Sequence, residues 1–99
     1  MNSKIKTDSV EALFDAVLTL KSKEDCYRFF EDVCTIKELL AMAQRYEVAK
    51  LLTGKMTYLD IAEKTGASTA TISRVNRSLE YGADGYQLAF ERLGITKKD

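Results

Sequence analysis

Apolar residues recur at helical spacing along the first half of the chain. In residues 8–20 they stand at positions i, i+3, i+4, i+7 and i+8, which places them on one face of an α-helix. This stripe consists of Val10, Leu13, Phe14, Val17 and Leu18. The same spacing returns in Cys26, Phe29, Phe30 and Val33, and again in a longer run from Leu39 to Leu52. The pattern therefore predicts three helices before residue 54.

Polar residues and glycines mark where the predicted helices begin and end. Hydroxyl and carboxylate side chains cap helix N-termini, and glycine often ends a helix in the left-handed conformation. The predicted caps of the first five helices are Asp8 or Ser9, Ser22, Thr35, Thr57 and Ser68. The predicted ends are Gly54, Gly66 and Gly94, with Gly82 and Gly85 separating the fifth helix from the sixth. Proline is absent and no segment alternates with period two, so we predict an all-α fold with six helices.

The apolar faces of the first three helices exceed what two short C-terminal helices can cover. A chain of 99 residues also buries only a modest fraction of its surface as a monomer. We therefore predict a single helical domain, residues 1–99, that forms a homodimer. In this prediction residues 1–54 and 84–94 are dimerisation helices, and residues 57–79 form a separate motif between them.

Residues 57–79 have the pattern of a helix-turn-helix. Ala62 provides a small side chain where the second helix crosses the first, and Gly66 tolerates the positive φ that a sharp turn needs. The apolar residues expected to hold the two helices together are Leu59, Ile61, Ala67, Ile72 and Val75. Helical corners also occur in proteins that do not bind DNA, so the motif alone leaves both interpretations open.

The outer face of the second helix carries short side chains near its N-terminus and arginines further on. Short side chains let a helix lie deep in the major groove, where hydroxyls reach phosphates and base edges. The N-terminal amides of the helix favour a phosphate near Ser68. The predicted DNA-binding residues are Ser68, Thr69, Ala70, Thr71, Ser73, Arg74 and Arg77.

Charge and cysteine content narrow the class of function. The net charge is +0, and residues 45–81 hold 6 Lys/Arg against 4 Asp/Glu, so phosphate binding depends on local placement. The chain has no histidine and no glycine-rich phosphate loop, which argues against an enzyme and against a metal site. Cys26 and Cys34 lie too far apart on one helix for a disulfide, and we predict buried free thiols in a cytoplasmic protein. No segment is apolar enough to span a bilayer, so no membrane partner is expected.

The segment LLTGKMTYLDIAEKTGASTATISRVNRSL resembles the Trp repressor superfamily and, within it, the small YerC/YecD branch. The resemblance covers residues 33–93. Upstream of the quoted segment, Thr35, Glu38 and Arg45 stand at positions similar to those of the family. It implies a six-helix, interwoven homodimer that represses transcription by binding double-stranded operator DNA.

The resemblance also implies an effector pocket in which tryptophan lies between two arginines. Arg45 and Arg74 match these arginines, while Thr35 and Ser78 match other pocket positions. The residue after the second arginine is glycine in the tryptophan-binding members but is Val75 here. Its isopropyl group would occupy the space that the indole ring needs. We therefore expect no cofactor and no useful binding of tryptophan, and the sequence identifies no other effector.

Two functions are consistent with these features. The first is a sequence-specific transcriptional regulator, acting as a repressor that binds a palindromic operator as a homodimer. The second is a helix-turn-helix module that binds another protein and has no independent operator binding. The neutral net charge favours the second, and the hydroxyl-rich outer face of the motif favours the first.

Overall fold

The computed structural model describes residues 2–95, which form one short 3₁₀ helix and six α-helices and contain no strand. The α-helices are α1 (Asp8–Val17), α2 (Lys23–Val33), α3 (Ile36–Thr53), α4 (Tyr58–Thr65), α5 (Thr69–Tyr81) and α6 (Gly85–Arg92). The 3₁₀ helix, Ser3–Ile5, precedes α1. The prediction of an all-α fold with six helices is confirmed. Residue 1 and residues 96–99 of the predicted domain lie outside the described residues.

Hydroxyl side chains cap the first five α-helices. Ser22, Thr57 and Ser68 each accept a hydrogen bond from the amide three residues later, at 3.1, 3.2 and 3.1 Å respectively. These three caps were predicted. The prediction for α1 is wrong by one residue, because Thr7 Oγ1 accepts the bond from the Val10 amide at 3.2 Å. Asp8 and Ser9 instead lie inside the first turn, where the positive end of the helix dipole stabilises the Asp8 carboxylate.

The predicted cap Thr35 forms a capping box with Glu38 at the start of α3. The Glu38 amide donates to Thr35 Oγ1 at 3.0 Å, and the Thr35 amide donates to Glu38 Oε1 at 2.9 Å. The bond from the Thr35 backbone, together with that from its side chain, lowers the pKa of Glu38. α3 ends at Thr53, directly before Gly54 as predicted, but Lys55 rather than Gly54 adopts the left-handed conformation, with φ 64°. The turn is closed by the Lys55 amide, which donates to the Leu52 carbonyl at 2.9 Å.

The contacts divide the chain into two compact units, one ending at Leu39 and the other beginning at Leu40. In the N-terminal unit, no residue from 2 to 39 is buried. Its apolar stripes are only partly covered: Phe14, Leu18 and Val33 are 51%, 83% and 51% exposed, whereas Val10, Val17, Phe29 and Phe30 are half-buried. The organisation of residues 1–99 as a single domain stays a prediction.

The two cysteines are free, but they are not buried. Cys26 is exposed and Cys34 is half-buried, so the prediction of buried thiols is wrong. The helical spacing correctly placed Cys26 on the apolar stripe of α2, but a single chain leaves that stripe only partly covered. Position on an apolar face therefore did not imply burial.

The C-terminal unit contains all the buried side chains found among the described residues. Its core consists of Val48, Ala49, Ile61, Ala67, Ile72, Val75 and Phe90. The rings of Tyr46 and Tyr86 pack on Phe90, with centroids 5.4 and 6.3 Å from it. This aromatic group joins α3 to α6. Residues from α4 and α5 fill the rest of the core, which fixes the helix-turn-helix against the end of α3.

Candidate DNA-binding site

The turn between α4 and α5 is built around Gly66. This residue ends α4 in the left-handed conformation, with φ 73° and ψ 5°, as predicted. Ile61 and Ile72 are fully buried on either side of the turn, and Ala67 is 5% exposed. Leu59 was expected in the same apolar contact, but it is 77% exposed. It lies two residues before Ile61 on α4 and therefore faces away from α5.

Hydrogen bonds fix the turn to the rest of the C-terminal unit. Thr65 Oγ1 donates to the Ile61 carbonyl at 2.7 Å and accepts from the Ala67 amide at 3.1 Å. Gln44 Nε2, from α3, donates to the Thr65 carbonyl at 3.2 Å. This bond spans 21 residues of sequence. Sequence reasoning missed Gln44, because nothing in a single polar residue reveals a partner so distant along the chain, and it also missed Thr65, whose side-chain partners are local.

We expect Gly66→Val to destabilise the protein by about 1–3 kcal/mol, because β-branched residues strongly resist positive φ. Thermal unfolding followed by circular dichroism measures this loss. Gly85→Ala is the matched control, since Gly85 has no positive φ and a Cβ there meets nothing within 4 Å. The control should keep its melting temperature or gain slightly from helix propensity. Equal melting temperatures for Gly66→Val and wild type would contradict the strained turn.

The outer face of α5 is open to solvent along its length. Six of the seven predicted DNA-binding residues are exposed: Ser68, Thr69, Ala70, Ser73, Arg74 and Arg77. The seventh, Thr71, is half-buried. Short side chains occupy the first half of this face, and the two arginines stand three residues apart in the second half, so they share one side of the helix. The structure thus presents a shallow surface that ends in two positive charges.

Ser68 and Thr71 organise the N-terminus of α5. Ser68 Oγ donates to Thr71 Oγ1 at 3.1 Å and also accepts from the Thr71 amide at 3.1 Å. The Ser68 hydroxyl proton is therefore used within the protein, whereas the Thr71 hydroxyl remains free to donate. The remaining amides of the first turn point outward from the helix end, where they can donate hydrogen bonds to a phosphate oxygen.

A polar cleft of about 290 Å³ lies beside this face. Arg45 from α3, Arg74 and Ser78 from α5 and Tyr86 from α6 surround it, and Val75 completes the lining. Three of the four residues predicted for an effector pocket are thus brought together. The fourth, Thr35, belongs to the N-terminal unit, where it closes the capping box with Glu38. Sequence reasoning did not assign Tyr86, which lies on α6, to this pocket.

Residues 2–95 contain neither a metal-binding cluster nor a membrane-spanning helix. No group of three or more histidine, cysteine, aspartate or glutamate side chains in this range could hold a metal ion. No helix in the described part of the chain is long and apolar enough to cross a membrane.

A protein-family model described as Trp repressor protein matches residues 8–94, which include all six helices. The chain belongs to the Trp repressor family. The YerC protein of Bacillus subtilis strain 168 is 49% identical over 96 residues, covering 97% of this chain and 92% of that protein. A Trp operon repressor homolog of Chlamydia trachomatis serovar L2 is 37% identical over 79 residues, covering 75% of this chain and 83% of its own length.

The fold is shared with a solved member of the family. The crystal structure of a TrpR-like protein from Eubacterium eligens matches with a TM-score of 0.93 and 66% identity, covering 98% of this chain and 100% of the other. These comparisons confirm the predicted family and its YerC relationship. Proteins of this family are DNA-binding regulators rather than enzymes, which confirms that the chain is not an enzyme.

Proposed function

We propose that the chain is a homodimeric, sequence-specific transcriptional repressor that acts in the cytoplasm and binds a palindromic operator. The observation that carries this proposal is the exposed outer face of α5, with its hydroxyl-bearing residues followed by Arg74 and Arg77. Short residues let the helix approach base edges, and the arginines contact the DNA backbone or a guanine. Repression, rather than activation, is supported by relatives described as Trp operon repressor homologs.

Dimerisation is supported by the open apolar surface of the N-terminal unit. Without any buried side chain among residues 2–39, this unit has no core of its own. A second copy of the chain would bury its apolar stripes, and an interwoven arrangement would use every helix of the unit. Two-fold symmetry of the dimer would then impose two-fold symmetry on the operator.

Selection from random-sequence duplex DNA tests this function. Rounds of binding and amplification should enrich a palindrome whose half-sites are centred about 34 Å apart, one turn of the duplex. Binding of the selected duplex should weaken steeply with salt, because phosphate contacts release counterions. Failure to enrich any sequence, combined with recovery of a protein partner that depends on Arg74 and Arg77, would favour the interaction module instead.

We expect no useful binding of tryptophan to this protein. Val75 is 1% exposed and forms part of the lining of the cleft, so its isopropyl group occupies the floor beside Arg74 that an indole ring would need. Isothermal titration calorimetry with L-tryptophan should show no saturable heat at micromolar concentrations. Val75→Gly removes the isopropyl group, and because Val75 also belongs to the core, circular dichroism must show that this variant is folded before its titration is compared with that of the wild type. Micromolar affinity in the wild type would contradict the expectation.

A further inference from the structure

The cleft beside α5 has the chemistry of an anion site. Two arginines, Arg45 and Arg74, are among its five lining residues, which include no carboxylate. Each guanidinium has a planar set of N–H donors that matches the oxygens of a phosphate in bidentate fashion. The Ser78 hydroxyl donates to the Arg74 carbonyl at 3.3 Å, so the arginines provide the main donors.

The polar lining of the cleft favours an anion over an aromatic ring. Its floor at Val75 is almost fully buried, and the ring of Tyr86 is engaged with Phe90 at 6.3 Å. At about 290 Å³ it lies at the lower limit of small-molecule pockets, which span roughly 300–1,000 Å³ and are mostly apolar. The polar lining, rather than the volume, makes a phosphate group the better match than an apolar organic effector.

The cleft also adjoins the face that is proposed to meet DNA. Arg74 lies on α5 directly after Ser73 and three residues before Arg77, and all three are exposed. If the first half of α5 lies in the major groove, the phosphate backbone of the duplex passes the second half of the helix. A phosphate on that strand would come within reach of Arg74 and of Arg45 across the cleft.

We propose that the cleft between Arg45 and Arg74 is a phosphate-binding site that holds a backbone phosphate of operator DNA. The assignment rests on the proposed function and extends the DNA-binding surface from α5 onto α3. Each protomer clamps one phosphate between the two guanidinium groups, in the space where an effector was predicted. DNA binding is consequently constitutive, because the DNA itself fills the cleft.

Arg45→Gln tests the assignment with Lys50→Gln as its matched control. Both residues are exposed on α3 and both substitutions remove one positive charge, but Lys50 does not line the cleft. Fluorescence anisotropy with the selected duplex is measured across a salt series. Arg45→Gln should lower affinity by about tenfold and flatten the slope of log K against log salt by about two per dimer, one per protomer. Lys50→Gln should keep the wild-type slope.

A second titration distinguishes DNA from a free anion as the source of the phosphate. Inorganic phosphate, added at constant ionic strength, should bind the free protein no more tightly than millimolar and should not displace the duplex. Submillimolar binding that is lost in Arg45→Gln would make the cleft a free-anion site and overturn the DNA assignment. An unchanged salt slope in Arg45→Gln would overturn it as well. If the wild type selects no DNA at all, the proposed function is wrong, and the assignment of the cleft to operator DNA is wrong as well. The phosphate titration then shows separately whether the cleft binds free anions.

Discussion

Ser73→Glu should reduce operator affinity by at least about a hundredfold while leaving the fold intact. Ser73 is exposed in the middle of the outer face of α5, so a glutamate there projects a longer, negatively charged side chain toward the DNA phosphates. Glutamate is a better helix former than serine, and the substitution should not lower the melting temperature. Anisotropy with the selected duplex measures the affinity, and circular dichroism measures the stability.

Ser9→Glu is the control for the added charge. Ser9 is exposed in the first turn of α1, where a carboxylate is favourable next to the helix dipole. This variant changes the net charge by the same amount without touching α5, and it should bind the operator within about twofold of wild type, because the effect of net charge alone is largely screened by salt. Equal affinity of Ser73→Glu and Ser9→Glu for the selected duplex would show that α5 does not meet the DNA.

Phe14→Asp should break the dimer and remove operator binding with it. Phe14 is 51% exposed on the apolar stripe of α1, so in the proposed homodimer its ring is covered by the partner. Replacing it removes an aromatic contact and places an unpaired carboxylate in that interface, which should raise the dimer dissociation constant by at least about a hundredfold. Light scattering should then report the chain mass of 11.1 kDa instead of twice that value.

Ala12→Asp is the control for a new carboxylate on α1. Ala12 is exposed and lies two residues from Phe14, on the opposite side of the helix from the apolar stripe. This variant should stay dimeric at micromolar concentration and keep its operator affinity. A Phe14→Asp protein that also stays dimeric at micromolar concentration would show that the stripe on α1 is not part of the subunit interface.

Local signals in the sequence predicted most of the helices and their N-terminal caps. Apolar spacing and hydroxyl caps act within a few residues of each other, so the capping box of Thr35 and Glu38 and the left-handed turn at Gly66 could be read directly. The sequence did not show which of two neighbouring residues adopts the left-handed conformation after α3: it is Lys55, not the predicted Gly54.

Features that depend on distant contacts could not be predicted in the same way. Periodicity shows that Cys26 shares a face with apolar neighbours, but not whether anything covers that face, and Cys26 is exposed. The hydrogen bond from Gln44 to the Thr65 carbonyl joins α3 to the turn through the tertiary fold alone. In the cleft, Arg45, Arg74 and Ser78 meet as the family resemblance implied, whereas Tyr86 became visible only in three dimensions.

The central claim is that two copies of α5, held at a fixed separation, read successive major grooves of one operator. The most direct measurement compares the selected duplex with one in which about five base pairs, half a helical turn, are inserted between the half-sites. The insertion moves the second half-site to the opposite side of the duplex. The predicted result is a loss of at least about a hundredfold in affinity, because only one half-site can then be engaged with its specific contacts. Equal affinity for both duplexes would contradict the claim.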